Sequence, residues 1–593
     1  MEIVRKIISG LTTSDLAEAY RYSRDHLYNI IHPFTHQYEQ QFIVFCRKND
    51  LGYFDQSVLL VLIFFCLIMA IKTICSIVSF IFKEREVSLK AQIFKLIVTY
   101  VPFAKKELEK SKQKLEHELE HTIDKYTHEK CPVLNDKGMN QALLQKRFKE
   151  WIERDDKLSG SGKISGSRYG DDRQFEKEVS EFAKGFLYHN PMHYDIFPAT
   201  RQMEAEIIRM TCNLFGSNDG FGFTTTGGTE SIMMGVLAHR NYAAKYRKIT
   251  EPNMQFIFKY KYFQIKMNLN NRVMPVTAHP AFNKACNFFK VKCIRVPVNK
   301  DSVVEISEVK KRIDSNTIML VGSVPNFPHG TIDPIPQLAK LAKSKGIGLH
   351  VDCCLGGFVV AFAKDYNLEI PPFDFTVDGV TSISCDHHKY GLAPKGVSVC
   401  MFKTQELRHS CYTSLSDWPG GFYATPSVCG SKAGAPIAGA WYAMQYHGKQ
   451  GYIEKSKCIS GCVKQLVQAI KESPELQEID VIGNPKTVVV AIIYKKGVNR
   501  NIYHLEGALS KKGWAFAGIQ RPAAIHISIT HGIANRVKDL IKDLKEAVKE
   551  VAENPEQFKN SSSSSIYGAS VQVPDTRILD SMLEVAVDFC LRL

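Results

Sequence analysis

The sequence predicts an α/β protein with three parts: one N-terminal membrane-spanning helix, a large domain with a mostly parallel sheet, and a smaller C-terminal α/β domain. Three observations predict it. Short apolar runs alternate with helix-patterned stretches beyond residue 167, as in a parallel sheet covered by helices. At Ala438–Lys471 the pattern becomes one long helix, and a shorter strand–helix unit follows it. Near the N-terminus, Val58–Phe82 is a run of 25 residues with a single charge, Lys72.

That run covers roughly 37 Å as a helix, against a hydrocarbon core of about 30 Å. Seventeen of its residues are Val, Leu, Ile or Phe, each favouring insertion by about 0.3–0.6 kcal/mol, and together they outweigh the roughly 3 kcal/mol cost of Lys72. A span is therefore expected, rather than a buried core helix or a cleaved signal peptide. Residues 1–56 hold six Lys or Arg and residues 83–114 hold nine, so the positive-inside bias places the C-terminal part in the cytosol. The expected divisions are a lumenal segment at 1–57, the span at 58–82, a juxtamembrane helical segment at 83–158, a large domain at 159–440 and a small domain at 441–593.

Within these divisions, residues 105–125 are good helix formers of mixed charge and read as a solvated helix. SGSGKISGS at 159–167 is a Gly/Ser break, either a linker or an active-site loop. Strands are expected at Thr317–Val324, Ile347–Asp352, Thr381–Cys385 and Gly396–Phe402, with helices at Thr229–Arg247 and Ile335–Lys345. In the small domain, strands are expected near Thr487–Tyr494 and Ala523–Thr530. NSSSSS at 560–565 reads as a surface segment.

Composition narrows the function. Hydrophobic residues make up 45% and charged residues 23%, which suits a folded chain. The 16 cysteines are scattered, as free thiols in a reducing compartment would be. The net charge of +15 is not gathered into a patch of the kind that nucleic acid requires, so no nucleic-acid partner is expected. No metal site is expected.

Four stretches carry chemistry. TTTGGTES at 224–231 is a Gly turn opening a helix, whose free N–H groups suit an anion; the same turn serves as plain loop elsewhere. HPAFNKA contributes His279, which by itself also suits a polar surface. LHVDCCLGGF ends a strand on Asp352, where parallel sheets place ligands. SCDHHKYG puts Lys389 after two histidines, just past another strand. A Lys for a Schiff base, an Asp for a pyridinium nitrogen and a helix N-terminus for a phosphate are together what pyridoxal phosphate needs.

With these residues the chain resembles the fold-type I pyridoxal phosphate enzymes related to amino-acid decarboxylases. Within them it is similar to the sphingosine-1-phosphate lyase family, from about residue 100 to near the C-terminus. The resemblance rests on GKISG with Tyr169, HNPMHYDIFP, TGGTES, PNFPHGTIDP, HVDCCLGG, DHHKYGLAPKG and DWPGGFYATPSVCGS. It implies a fold-type I transferase-like large domain and pyridoxal 5'-phosphate as cofactor. Lys389 then forms the Schiff base, Asp352 pairs with the ring nitrogen, His279 stacks on the ring, and Gly228 and Thr229 meet the cofactor phosphate. His388 lies near the cofactor, Tyr169 belongs to the active-site loop, and Lys395 meets the substrate phosphate. The Gly420-Gly421 turn reaches a partner's site, which implies a homodimer with shared active sites.

The implied reaction is retro-aldol cleavage of the C2–C3 bond of a phosphorylated sphingoid base, giving a long-chain aldehyde and phosphoethanolamine, at the endoplasmic reticulum membrane. The base for the C3 hydroxyl is left open among Tyr169, Lys389, His388 and the substrate's own phosphate. Lys389 is expected to be made neutral by a nearby cation or by desolvation. The competing readings are an amino-acid decarboxylase on the same fold and a catalytically inactive membrane-anchored paralogue. Two departures from the family pattern, Arg168 beside Tyr169 and Lys432 where Arg is usual, bear on the head-group site. His387, Cys353 and Cys385 read as packing residues.

Overall fold

A computed structural model describes residues 134–249 and 271–558, with isolated helical positions between 109 and 117 and between 583 and 591. The expected span at 58–82, most of the helix at 105–125 and the serine run at 560–565 lie outside the described residues. Among the described residues no helix is long and apolar enough to cross a membrane. Residues 145–564 form one compact unit.

From residue 134 onward, the described residues begin with the helices α1 (Gln141–Ser159), α2 (Arg173–Lys184) and α3 (Pro198–Leu214). Asp172 starts α2 by accepting the Phe175 N–H, one of the donors that a helix leaves unsatisfied at its first turn. The large sheet has seven strands: β1 (Gly222–Thr225), β2 (Asn271–Pro275), β3 (Lys292–Val296), β4 (Thr317–Ser323), β5 (Gly348–Asp352), β6 (Ser382–Cys385) and β7 (Ser398–Phe402). Their order is β1-β7-β6-β5-β4-β2-β3. From β3 to β6 all neighbours are parallel, and β7 runs antiparallel to both β6 and β1.

Every residue of β4 to β7 is buried. A sheet covered on both faces tolerates few charged residues, and the four strands carry none but the terminal Asp352, their buried Ser and His being uncharged or hydrogen-bonded within the sheet. The structure puts them within two residues of the expected bounds. The strands β1, β2 and β3 were not foreseen. β2 and β3 read NRVMP and KCIRV, and β3 forms an edge of the sheet with Lys292 and Arg295 exposed. Among the connecting helices are α4 (Gly228–Arg247), α5 (Ala281–Phe289) and α6 (Ile335–Ser344).

A small hairpin, β8 (Thr413–Leu415) with β9 (Tyr423–Thr425), precedes the long helix α7 (Gly434–Glu472). The expected single long helix is in fact two helices that meet at Gly448, whose φ of 54° and ψ of −176° are non-helical and suit a residue without a Cβ. Helix α7 runs across the boundary expected at residue 440. The second sheet is antiparallel, with order β10-β11-β13-β12. Its strands are β10 (Ile479–Val481), β11 (Val489–Tyr494), β12 (Ala517–Ile519) and β13 (Ala524–Ser528), with α8 (Ile502–Lys511) packed beside it and α9 (Val537–Glu553) packed on α8 and α7.

The Gly/Ser segment at 159–167 is tied to this second sheet. Ile164 bridges Ala515, the Ser165 N–H donates to the Ala515 carbonyl at 2.9 Å, and the Ser528 N–H donates to Ser165 Oγ at 2.8 Å. A segment that composition placed at the start of the large domain is thus held by the small one.

Candidate active site

The site grows from the register of two neighbouring strands. β5 and β6 are parallel, and Asp352 lies opposite Ser384. Both strands therefore end at the same level, and the turn after β6 carries Asp386, His387, His388 and Lys389 over the carboxyl edge of the sheet. Asp352 Oδ1 accepts the Cys354 N–H at 3.0 Å and the Ser384 hydroxyl at 3.5 Å. One carboxylate oxygen is thereby fixed and the residue is oriented.

The TGGT turn is shaped by what approaches it. A Cβ on Gly228 would lie 2.7 Å from both carboxylate oxygens of Asp386 and 2.9 Å from Cys354 Sγ, and a Cβ on Gly227 would lie 3.1 Å from His388 Cε1. The paired glycines allow the turn bearing Lys389 to close on the amino end of α4. Glu230, in the first turn of α4, reaches back so that Oε2 accepts both the N–H and the hydroxyl of Thr226, at 2.7 and 2.8 Å. Beneath lies a chain of buried hydroxyls: Thr225 to Ser231 at 2.7 Å, Ser231 to Ser398 at 2.8 Å, and Ser398 donating to the Cys385 carbonyl at 3.0 Å. It ties β1, α4, β7 and β6 together under the site.

A cavity of about 330 Å³ results, lined by residues that include Gly228, Thr229, His279, Asp386, His388 and Lys389. His279 Nδ1 accepts the Ala281 N–H at 3.1 Å, so a neutral ring carries its proton on Nε2. Burial lowers the His279 pKa, against the attraction of Asp352. His388 Nδ1 likewise accepts backbone N–H groups from Gly396 and Val397, at 3.3 and 3.2 Å, leaving Nε2 3.6 Å from Asp386 Oδ2. Burial lowers its pKa too, and Asp386 only partly offsets this.

Lys389 differs from expectation. Its Nζ lies 2.8 Å from Asp386 Oδ2, with the two side chains 22% and 1% exposed. Burial would lower the amine's pKa, but the Asp386 carboxylate outweighs it and holds the pKa well above the usual lysine value. Reciprocally, burial opposes ionisation of Asp386, while Lys389 and then His388 attract its charge and keep its pKa below normal. The resting lysine is a paired ammonium, and the neutralising influence expected from a neighbouring cation is overridden. Asp386 Oδ1 is buried with no hydrogen-bond partner. Asp386 and Glu230 are the site residues that the sequence reading did not single out, although Asp386 stands three positions before the lysine.

Tyr169 and Lys395 complete the group from the side of the small domain. The Tyr169 ring meets Tyr390 edge-on at 4.8 Å, and its carbonyl accepts the His531 N–H at 3.1 Å. Burial raises its pKa, against the pull of Lys389. Lys395 Nζ sits 5.1 Å over the Tyr169 ring and 3.4 Å from the His388 carbonyl, and burial followed by repulsion from Lys389 lowers its pKa. Gly421 is not brought to this cavity. It lies on the exposed hairpin connection at a φ of +104°, a conformation suited to glycine.

The two departures have local partners. Arg168 pairs bidentately with Glu176 and reaches Ser159 Oγ at 3.3 Å. Lys432 pairs with Glu204 and donates to Thr224 Oγ1 at 3.3 Å. His387 donates or accepts at Thr211 Oγ1 at 2.8 Å and meets Phe358 edge-on, while Cys353 and Cys385 are buried thiols; these three are packing residues, as expected.

The model of the pyridoxal-dependent decarboxylase conserved domain matches residues 179–495. The sphingosine-1-phosphate lyase of Arabidopsis thaliana is 37% identical over 502 residues, which is 83% of this chain and 87% of that protein. The chain belongs to the sphingosine-1-phosphate lyase family. Sphingosine-1-phosphate lyase 1 of Mus musculus is also 37% identical, over 84% of either chain. Among solved structures, the sphingosine-1-phosphate lyase of Burkholderia pseudomallei aligns with a TM-score of 0.65 and 32% identity, covering 72% of this chain and 95% of that one.

The family's cofactor is pyridoxal phosphate, and the residues of this site fit it. The Lys389 amine and the His279 imidazole line the cavity, and the strand-end carboxylate of Asp352 lies just behind it, bonded to the N–H of the lining residue Cys354. The amino end of α4 offers unfilled backbone donors beside a glycine that no Cβ can replace.

Proposed function

We propose that this chain is a membrane-anchored lyase that cleaves phosphorylated long-chain bases between C2 and C3, releasing a long-chain aldehyde and phosphoethanolamine. The observation that carries the reading is the Asp352–Lys389 arrangement at the ends of two adjacent parallel strands, in a chain 37% identical to such lyases over most of its length. Bound in the cavity, pyridoxal phosphate supplies an electron sink conjugated to the substrate's amine-bearing carbon.

This chain's own groups do the rest. Asp352, with Oδ1 already engaged by the Cys354 N–H, has Oδ2 left to hold a proton on the ring nitrogen. Gly228, Thr229 and the first N–H groups of α4 would hold the cofactor phosphate, and His279 would face the ring. Lys389 supplies the amine that would hold the cofactor at its aldehyde. Lys395, on the Tyr169 side, meets the substrate phosphate. Tyr169, His388 and Lys389 remain the candidate protein bases for the C3 hydroxyl, alongside the substrate's phosphate.

The apolar run 58–82 and its flanking charges support a single span with this site facing the cytosol, at the endoplasmic reticulum. Exposed Trp418, Phe422 and Tyr423 around the Gly420-Gly421 connection support a homodimer in which this hairpin reaches the partner's site. The decisive experiment incubates the purified full-length protein with a phosphorylated long-chain base and measures aldehyde and phosphoethanolamine by mass spectrometry. Failure to form both products in the presence of pyridoxal phosphate refutes the reading.

A further inference from the structure

A second, larger cavity of about 1070 Å³ opens between the two sheets. It shares no lining residue with the site above. One wall comes from the ends of β2 and β3 and from the loop after β4. The other comes from β10, β11 and the connection between β12 and β13.

Its lining is strongly one-signed. Arg295, Lys300, Lys471, Lys495, Lys496 and Arg521 stand around it, against two acids, Asp301 and Asp480. All six cations are exposed, and among the described residues none is in an ion pair. Like charges gathered at a low-dielectric crevice repel one another and focus a positive potential, a cost that an anionic ligand relieves.

The floor gives an independent observation. His329 is 4% exposed, and neither of its ring nitrogens has a hydrogen-bond partner. Thr277 Oγ1 and Tyr494 Oη are also buried and unpartnered, on residues 5% and 9% exposed. All three residues line this cavity. An unsatisfied buried polar group costs about 1–3 kcal/mol, so three on one surface mark a place where a polar ligand completes the hydrogen bonding. Burial lowers the His329 pKa to about 4, with repulsion from His526 adding to it. At neutral pH the ring therefore offers one donor and one acceptor, which suits hydroxyl groups better than phosphate oxygens.

From this geometry we infer that the crevice binds a small organic polyphosphate: an anion with at least two phosphate groups for the cationic rim and hydroxyl groups for the His329, Thr277 and Tyr494 floor. Such chemistry occurs in free phosphorylated polyols and in phosphorylated polyol lipid headgroups. Because the ligand contacts both sheets, its binding stabilises their docked arrangement.

The test uses the full-length, cofactor-loaded protein, with inositol hexakisphosphate as soluble probe and phosphoinositide-containing vesicles as the lipid probe, both by titration. Saturable binding that weakens with salt is expected. Lys495→Glu combined with Lys496→Glu should weaken it about tenfold or more, the equivalent of losing one charge-assisted hydrogen bond. His329→Phe, which keeps an aromatic ring but removes both nitrogens, should weaken it in the same direction. Neither variant changes a residue placed at the lyase site, so lyase activity without the probe should be retained in both. Binding to the soluble probe alone identifies a free polyphosphate, and binding to vesicles over vesicles lacking the phosphoinositide identifies a lipid headgroup. The inference is overturned by absence of binding to both probes, or by binding that the Lys495/Lys496 variant leaves unchanged.

Discussion

Replacing Asp386 by Asn tests the electrostatics of the site most sharply. The carboxylate is 1% exposed and sits 2.8 Å from the Lys389 ammonium. Removing one member of a fully buried ion pair costs about 3–5 kcal/mol. Lys389 keeps 22% of its side chain exposed, so some water remains to solvate the orphaned charge and the lower end applies, about 3 kcal/mol. The pH dependence follows from the two shifts. The lysine's raised pKa contributes stability that is fully present below its unfolded value of about 10.4 and is lost as pH rises through the folded value. The aspartate's lowered pKa contributes stability present above its unfolded value of about 3.9 and lost as pH falls through the folded one. Wild type and Asp386→Asn should therefore differ by about 3 kcal/mol in denaturant unfolding of the cofactor-free protein near neutral pH. The gap should narrow on the acid side, below about pH 4. The same substitution leaves burial as the main influence on Lys389, so its amine should react with an amine-directed reagent at lower pH, as read by peptide mass spectrometry. Equal stability at pH 7 together with an unchanged labelling profile would refute the pairing and its role in holding the amine protonated.

Other outcomes follow from the same geometry. Lys389→Ala should abolish the pyridoxyl label that borohydride leaves on the wild-type protein while preserving the circular-dichroism spectrum; a label persisting on another lysine contradicts the assignment. Gly228→Ala drives a methyl into the Asp386 carboxylate, so stability should fall by about 1–3 kcal/mol and cofactor affinity should fall with it, measured by thermal shift and by titration with pyridoxal phosphate. Asp352→Asn should retain the cofactor but turn over at least about 10²-fold more slowly, and near-normal turnover would mean that another group holds the ring nitrogen. A tag at the C-terminus should be digested when protease is added to intact microsomes; protection of the tag would reverse the proposed orientation.

The sequence alone determined much of this protein because several of its signals are local. Four buried strands are short runs free of charge until their ends, two of which are marked by Asp352 and by the DHHK turn, so the chemistry-bearing residues could be named in order along the chain. The glycine turn before α4 was legible for the same reason, since turn and helix follow directly in sequence, although strand β1 ahead of them was not. What only the tertiary structure decided depends on pairing between distant segments and on side-chain direction within a turn. That β5 lies beside β6 in a register matching Asp352 with Ser384 is a long-range fact with no local signature. Within Asp386-His387-His388-Lys389 no helical or strand period applies, so packing alone turned His387 to Thr211 and Asp386 to Lys389. The Asp386 carboxylate, held against the amine in that turn, then outweighed burial and reversed the expected shift of the lysine. The edge strand β3 was missed because an edge need not be apolar, and the 159–167 segment joined the small sheet through hydrogen bonds to residues some 350 positions away. The cationic crevice was hidden for the same reason: its charges are dispersed from Arg295 to Arg521, and only the docking of two sheets makes them neighbours.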